Sequence, residues 1–348
     1  MKLFSFKDMK TNWLLWLLAL LLISSCSQHN TSSEKKPVEP IYWPSKPAKA
    51  MIQYLGAFSD ATDLNISRSL WARFIDFFAG EKSTRLVKPM AVIADPEGVI
   101  YVADPGARGV HRFDQANQSY TLIIRKNDHP LLSPIGLVLD DQSNLIISDS
   151  KLAKLYKVNK GEDIANEFIT EATFKQPTGL VAGGNNDFYV TDTAEHKILN
   201  ISFSGELIRE IGHRGTGDGE FNYPTMINFS KDHLLVSDTL NFRIQALDKQ
   251  GDFISKFGQI GNATGHQSRS KGIATDMNQN IYVVDGLFHT VQIFDNTGNF
   301  LLNFGEQGQE AGEFWLPVGI FIDNQQTIYV TDTYNQRIQM FRFLGAKL

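Results

Sequence analysis

Residues 223–258 read YPTMINFSKDHLLVSDTLNFRIQALDKQGDFISKFG, four short β-forming runs parted by turn residues. The second run, LLVSD, stays apolar up to its aspartate and suits a strand covered on both faces, because one wet face would produce period-two alternation. The third, RIQALD at 243–248, alternates, which places it farther from any central axis. The turn DKQGD at 248–252 leads into the fourth run, FISKFG, and its glycine takes positive φ at little cost.

The pattern recurs on both sides of this stretch. The second run ends in an aspartate six times, at Asp104, Asp149, Asp192, Asp238, Asp285 and Asp332, with intervals of 45, 43, 46, 47 and 47 residues. A proline precedes the aspartate by 14 or 15 residues in five units (Pro89, Pro134, Pro177, Pro224, Pro317), and Ser270 takes its place in the sixth. Six residues after each aspartate stands an apolar residue: Val110, Leu155, Ile198, Ile244, Val291 or Ile338. A period in the forties means a propeller or a solenoid. Four antiparallel strands per unit select the propeller, since one blade cannot cover both of its apolar faces and a ring of six can. The expected fold is all-β, a six-bladed propeller of four-stranded antiparallel blades over residues 51–348, with the first two blades the least regular.

After Asp332 the chain has room for a third strand, Arg337 to Phe343, and then stops at Leu348. MIQYLG at 51–56 ends apolar–Gly like FISKFG and FLLNFG, and is predicted to supply the missing fourth strand of blade six. Such closure removes edges that would invite aggregation.

The first residues carry Lys2, Lys7 and Lys10, then the apolar run WLLWLLALLLI at 13–23, then Ser24, Ser25 and Cys26. That order describes a secretory signal peptide over 1–25, with a core too short for a comfortable membrane span. Ile23-Ser24-Ser25-Cys26 resembles the bacterial lipobox, which makes Cys26 the expected lipidation site; an ordinary signal peptide with a nearby cysteine is the alternative. Cys26 is the only cysteine, so no intramolecular disulfide or paired-cysteine haem site is available. Residues 26–50, rich in Pro, Ser and Lys, read as a tether. LWARFIDFFAGE at 70–81 has apolar residues near helical spacing and reads as an amphipathic helix against the ring. The expected location is the bacterial cell envelope, with Ser27 favouring the outer membrane. Without residues 1–25 the chain has 30 Lys and Arg against 37 Asp and Glu, a balance that argues against a nucleic-acid partner.

The stretch at 223–258 looks like an NHL repeat, and IYVTDTYNQRIQMF at 328–341 resembles the family's D-T-x-N-x-R-I core more closely still. GTGDGEFNYP at 215–224 and GQEAGEFWLP at 308–317 resemble its linker into the next blade. The resemblance covers 51–343 and drifts in the first two blades, where Asp104-Pro105-Gly106 and Asp149-Ser150-Lys151 replace D-T. It implies a six-bladed ring. Some NHL proteins bind RNA or protein on the face bearing the loops between strands two and three. Related propellers include peptidyl-hydroxyglycine lyases, with zinc held by three histidines near the axis, and sugar lactonases, with calcium in the channel.

The positions equivalent to the lyase histidines are Met90, Ile135, Thr178, Thr225, Lys271 and Val318. None suits zinc or calcium, so the expectation is no metal and no cofactor, with Lys271 the only charge at the channel mouth. His129, His213 and His266 stand at unequal offsets from the next repeat, and His196 and His289, both four after the aspartate, read as solvated turn residues. One aspartate per period argues for a turn acceptor rather than a catalytic group, in all six cases. Arg243 and Arg337 read as bridges between blades. GHRGTGDGE at 212–220 lacks the lysine of a phosphate loop, and no G-x-S-x-G elbow occurs, so catalysis finds no candidate residues. The expected function is a lipid-anchored extracytoplasmic binding or scaffold protein recognising an envelope protein or small ligand on its loop face. Candidate contacts are Lys271, Arg108, His196, Phe242, His289 and Tyr334. A propeller lyase or lactonase with an unrecognised channel site is the alternative.

Overall fold

The computed structural model describes residues 40–45, 47–66, 84–261 and 265–344. The signal sequence, Cys26 and the expected helix at 70–81 lie outside the described residues.

Each repeat forms an antiparallel sheet whose first strand runs along the axis. The six inner strands are Ala91–Ala94, Pro134–Leu139, Pro177–Ala182, Pro224–Ser230, Ser270–Thr275 and Ile320–Ile322. Each neighbours the inner strand of the next repeat, and the last neighbours the first. The ring therefore closes at six blades. Second strands such as Ile100–Asp104 and Ile281–Asp285 are buried at every position, as their unbroken apolar content requires.

The core is distributed between blades. Among the described residues six hydrophobic clusters occur, each made by residues of two neighbouring blades. Blades one and six, for instance, share Val102 and Phe113 with Tyr329 and Ile338. Every blade has two apolar faces, so none can bury itself alone.

Closure follows the expected route. Ile52–Phe58 pairs antiparallel with Arg337–Phe343, Ile52 opposite Phe343 and Phe58 opposite Ile338, with a register shift between Tyr54 and Gly56. The propeller nevertheless starts before residue 51. Tyr42–Trp43 adds a fifth strand to this sheet, Tyr42 opposite Gln53, so the tether expected over 26–50 gives way to structure at its C-terminal end. The cause is the Trp43 ring, which packs 5.9 Å from Phe304 and 5.8 Å from Phe341. Gly312 makes room for it, since a Cβ there would lie 2.6 Å from the indole.

Blades one and two also depart from separate four-stranded sheets. Their outer strands, Ser119–Arg125 and Ile164–Glu167, pair in parallel at Ile124–Ile164 and Arg125–Ala165, giving one eight-stranded sheet. Between later blades the linker places a fully buried phenylalanine, Phe221 or Phe314, in the interblade cluster. The shorter 126–133 linker places Leu131, also fully buried, in the cluster between blades one and two.

The third strands are not half-wet. Arg243–Leu247 and Thr290–Phe294 are buried throughout. Their glutamines are consumed internally: Gln245 Nε2 donates to the Glu220 carbonyl and to Asp238, and Gln292 Nε2 to the His266 carbonyl. Alternation in this strand marks linker-binding positions rather than a solvent face.

Candidate binding face

The repeat aspartates organise one end of the ring. All six are fully buried, and each accepts backbone N–H bonds from the linker that leads into its own blade. Asp149 takes Leu132 and Ser133 from the linker at 2.6 and 3.1 Å, and Lys151 and Leu152 from the turn that follows it. A buried carboxylate bonded on both oxygens pins two chain segments together. In blade six the corresponding carboxylate, Asp332, receives Asn335, Arg337 and Gln339, the polar residues of D-T-x-N-x-R-I-Q. Arg243 and Arg337 therefore hold their own linkers, through the carbonyls of Gly217 and Glu220 and of Glu310 and Glu313, instead of reaching a neighbouring blade.

Hydroxyls on either side of the aspartate join one blade to the next. Ser148 Oγ accepts from Gly136 N and donates to the Thr178 carbonyl, and Thr191 Oγ1 does the same between Gly179 N and the Thr225 carbonyl. After the aspartate, Thr193, Thr239 and Thr333 donate to the carbonyls of Pro224, Ser270 and Pro89. The Thr333 bond, at 2.7 Å, fastens blade six to blade one. Sequence reasoning missed this role, although the hydroxyl–Asp–Thr triplet was visible in three blades.

Four residues past each aspartate the backbone is left-handed without glycine, at Arg108, Ala153, His196, Phe242, His289 and Gln336, with φ between 54° and 58°. Tyr334 lies two residues earlier in its turn, so Gln336 is the true counterpart of the other five. His196 and His289 are not solvated turn residues. Their Nδ1 atoms accept the backbone N–H of Tyr223 at 3.1 Å and of Leu316 at 3.0 Å, each just before the next blade's proline. Both acceptors require a neutral ring with the proton on Nε2. Burial holds the His289 pKa below its ordinary value.

The candidate residues thus divide. Arg108 and Tyr334 are exposed, Phe242 and His289 half-buried, and His196 is buried against the Tyr223 ring, 4.5 Å between centroids. Lys271 is half-buried on the first residues of the inner ring, where its own carbonyl accepts from Ser237 Oγ. Burial, and secondarily the charge of Arg269, lower its ammonium pKa to about 8. Beside the expected set the structure exposes Val87, Tyr223, Leu240, Leu287 and Trp315 on this same end. Leu240 and Leu287 occupy the offset of Tyr334, two after the aspartate, which was the available signal.

The axial channel behind this face has a volume of about 380 Å³. Its lining is largely apolar, including Ile93, Leu137, Val181, Ile273 and Phe321, with Asn228 and Thr275 among the few polar side chains. Among the described residues no group of three His, Cys, Asp or Glu is placed to hold a metal ion. Among the described residues that line the channel there is no His, Cys, Asp or Glu.

Residues 271–347 match the family described as DUF5128: 6-bladed beta-propeller. A stretch of 119 residues is 29% identical to the protein brain tumor of Drosophila melanogaster, which covers 33% of this chain and only 11% of that protein's length. The chain folds as a six-bladed β-propeller whose repeats are similar to those of an NHL-repeat protein. Among solved structures, this propeller resembles an auxiliary nutrient binding protein from Bacteroides thetaiotaomicron with a TM-score of 0.60 at 13% identity, over 76% of this chain and 71% of that one. Virginiamycin B lyase from Staphylococcus aureus superposes with a TM-score of 0.55 at 16% identity, over 74% and 96% of the two chains. At such identities the propeller shares a fold with both, and a fold by itself assigns no activity.

Proposed function

We propose that this propeller is an extracytoplasmic binding protein, lipid-anchored through Cys26, whose ligand sits on the end of the ring bearing the aspartate turns. The observation that carries this reading is the set of exposed apolar and aromatic side chains on that end, Leu240, Leu287, Trp315 and Tyr334 among them. Similarity to a nutrient-binding protein and the lipobox-like residues 23–26 support the envelope setting. The apolar channel weighs against the lyase or lactonase alternative.

Two measurements test the reading. Fractionation of cells producing the wild type should leave the protein in membranes, and Cys26→Ala should release it to the soluble fraction; equal partitioning of the two removes the anchor. Acylation footprinting of the full chain with and without envelope extract should protect Lys271 and Lys88 on the proposed face while leaving Lys160 and Lys249 at the other end unchanged. Uniform labelling under both conditions defeats the placement of the ligand.

A further inference from the structure

A second depression, of about 190 Å³, lies between blades four and five at the end of the ring opposite the aspartate turns. Leu235, Ala246 and Ile281 of the interblade cluster form its floor, with Phe257 packed against them. Ala246 is what opens it. Eight residues after the other repeat aspartates stand Arg112, Lys157, Asn200, Ile293 and Met340, all larger. A methyl group at this offset leaves space where every other blade has a longer side chain.

The rim is made of hairpin turns that are already fixed. Asp276 Oδ1 accepts the N–H of Asn278 and of Asn280, each at 2.9 Å, and so holds the turn carrying Gln279. Asp295 Oδ1 does the same for Thr297 and Asn299, around Asn296. Ser230 Oγ donates to Gln279 Oε1 at 2.9 Å and ties the two blades together at the depression. Among the described residues, Gln279 Nε2, the Asn296 side-chain amide and the Ser255 hydroxyl take no hydrogen bond from the protein. Of the charged residues on the rim, Asp232 is matched by Lys249 at 2.8 Å, while Lys231 and His233 are exposed.

From this arrangement we propose that the depression binds one neutral hexopyranose ring, its carbon-bound hydrogens against Phe257 and Ala246 and its hydroxyls on Asn296, Gln279 and Ser255. The site lies away from the aspartate turns and does not depend on the binding-face reading. A sugar ring presents an apolar face edged with groups that both donate and accept, and amide and hydroxyl side chains answer both roles. A planar aromatic ligand could cover the floor but has no hydroxyls around its edge for the three polar groups. The volume is below the roughly 300 Å³ at which pockets for larger ligands begin, which suits a single ring rather than an acyl chain. Lys231 is solvated, and an exposed ammonium adds little to the affinity of an anion. Fixed turns leave little conformational freedom for the ligand to freeze.

The test titrates the purified full chain with methyl glycosides of glucose, galactose, mannose and N-acetylglucosamine, followed by saturation-transfer NMR and calorimetry. At least one should bind with a Kd of about 1–10 mM, as expected of a single ring on a shallow site. Asn296→Ala, on an exposed turn, and Ala246→Met, which installs the residue of blade six, should each weaken that binding about tenfold or more. Circular dichroism checks the fold of both; should Ala246→Met not fold, Asn296→Ala decides alone. The proposal is overturned by no binding of any glycoside up to about 50 mM, or by binding that Asn296→Ala or a folded Ala246→Met leaves unaltered. Equal or tighter binding of phenol or adenosine also overturns it, as does binding confined to glucuronate and abolished by about 300 mM salt. Neither variant touches the aspartate turns, so each of these failures leaves the binding-face reading standing.

Discussion

At the scale of single residues, this propeller is held by side chains that the apolar pattern does not reveal. Thr333 donates to the Pro89 carbonyl across the junction where the ring closes, and both groups are buried. Thr333→Val keeps the shape and leaves that carbonyl unsatisfied, so urea unfolding should show a loss of about 1–3 kcal/mol. A change within error would mean that water or backbone relaxation satisfies the carbonyl. His289 makes a pH-dependent contribution. Its folded pKa lies below the unfolded value of about 6.5 because burial disfavours the imidazolium, and only the neutral ring accepts the Leu316 N–H. The stability it supplies is therefore fully present above the unfolded pKa and is lost as pH falls through the folded one. Between pH 7.5 and 5.5 the Tm of wild type should fall more than that of His289→Asn, whose amide oxygen can accept the same bond without titrating. Parallel curves would remove His289 from the acid sensitivity.

At the scale of elements, the N-terminal segment acts as a clasp. Ile52–Phe58 covers the edge of Arg337–Phe343, and Tyr42–Trp43 extends the same sheet. Trp43→Ala removes a partly buried ring from two aromatic neighbours and should cost roughly 1–3 kcal/mol, read as a shift of the denaturation midpoint. Removing residues 40–58 should do more: it bares a strand edge and opens the ring, and static light scattering should report aggregates at concentrations where wild type stays dispersed. Retained monodispersity would show that the last blade needs no borrowed strand. The clasp was readable at 51–56 because the string repeats the apolar–Gly ending of the other fourth strands. Tyr42–Trp43 escaped notice, since two residues between prolines carry no period, and their ordering depends on the space left by Gly312 on a distant linker. The merged outer edges of the first two blades were equally unreadable, because a two-residue parallel pairing leaves no pattern in composition.

At the scale of the whole molecule, the ring separates its chemistry between two ends and an apolar axis. Dialysis against EDTA should leave the Tm within about 1 °C of the untreated protein, as the described residues include no three-ligand cluster; a larger fall would reveal a metal in the fold. By itself the sequence determined the number of blades, the strand order within each and the closing strand, because periodic apolar runs and turn residues are local properties repeated in register. Only the tertiary structure decided which side chains reach the next blade and which remain for a ligand. His196 and Arg108 both stand four residues after their aspartates, yet one is consumed by a neighbouring amide and the other is exposed. That difference is set by the residue on the adjoining blade, some 27 residues away in sequence for His196 and Tyr223, and no local pattern encodes it.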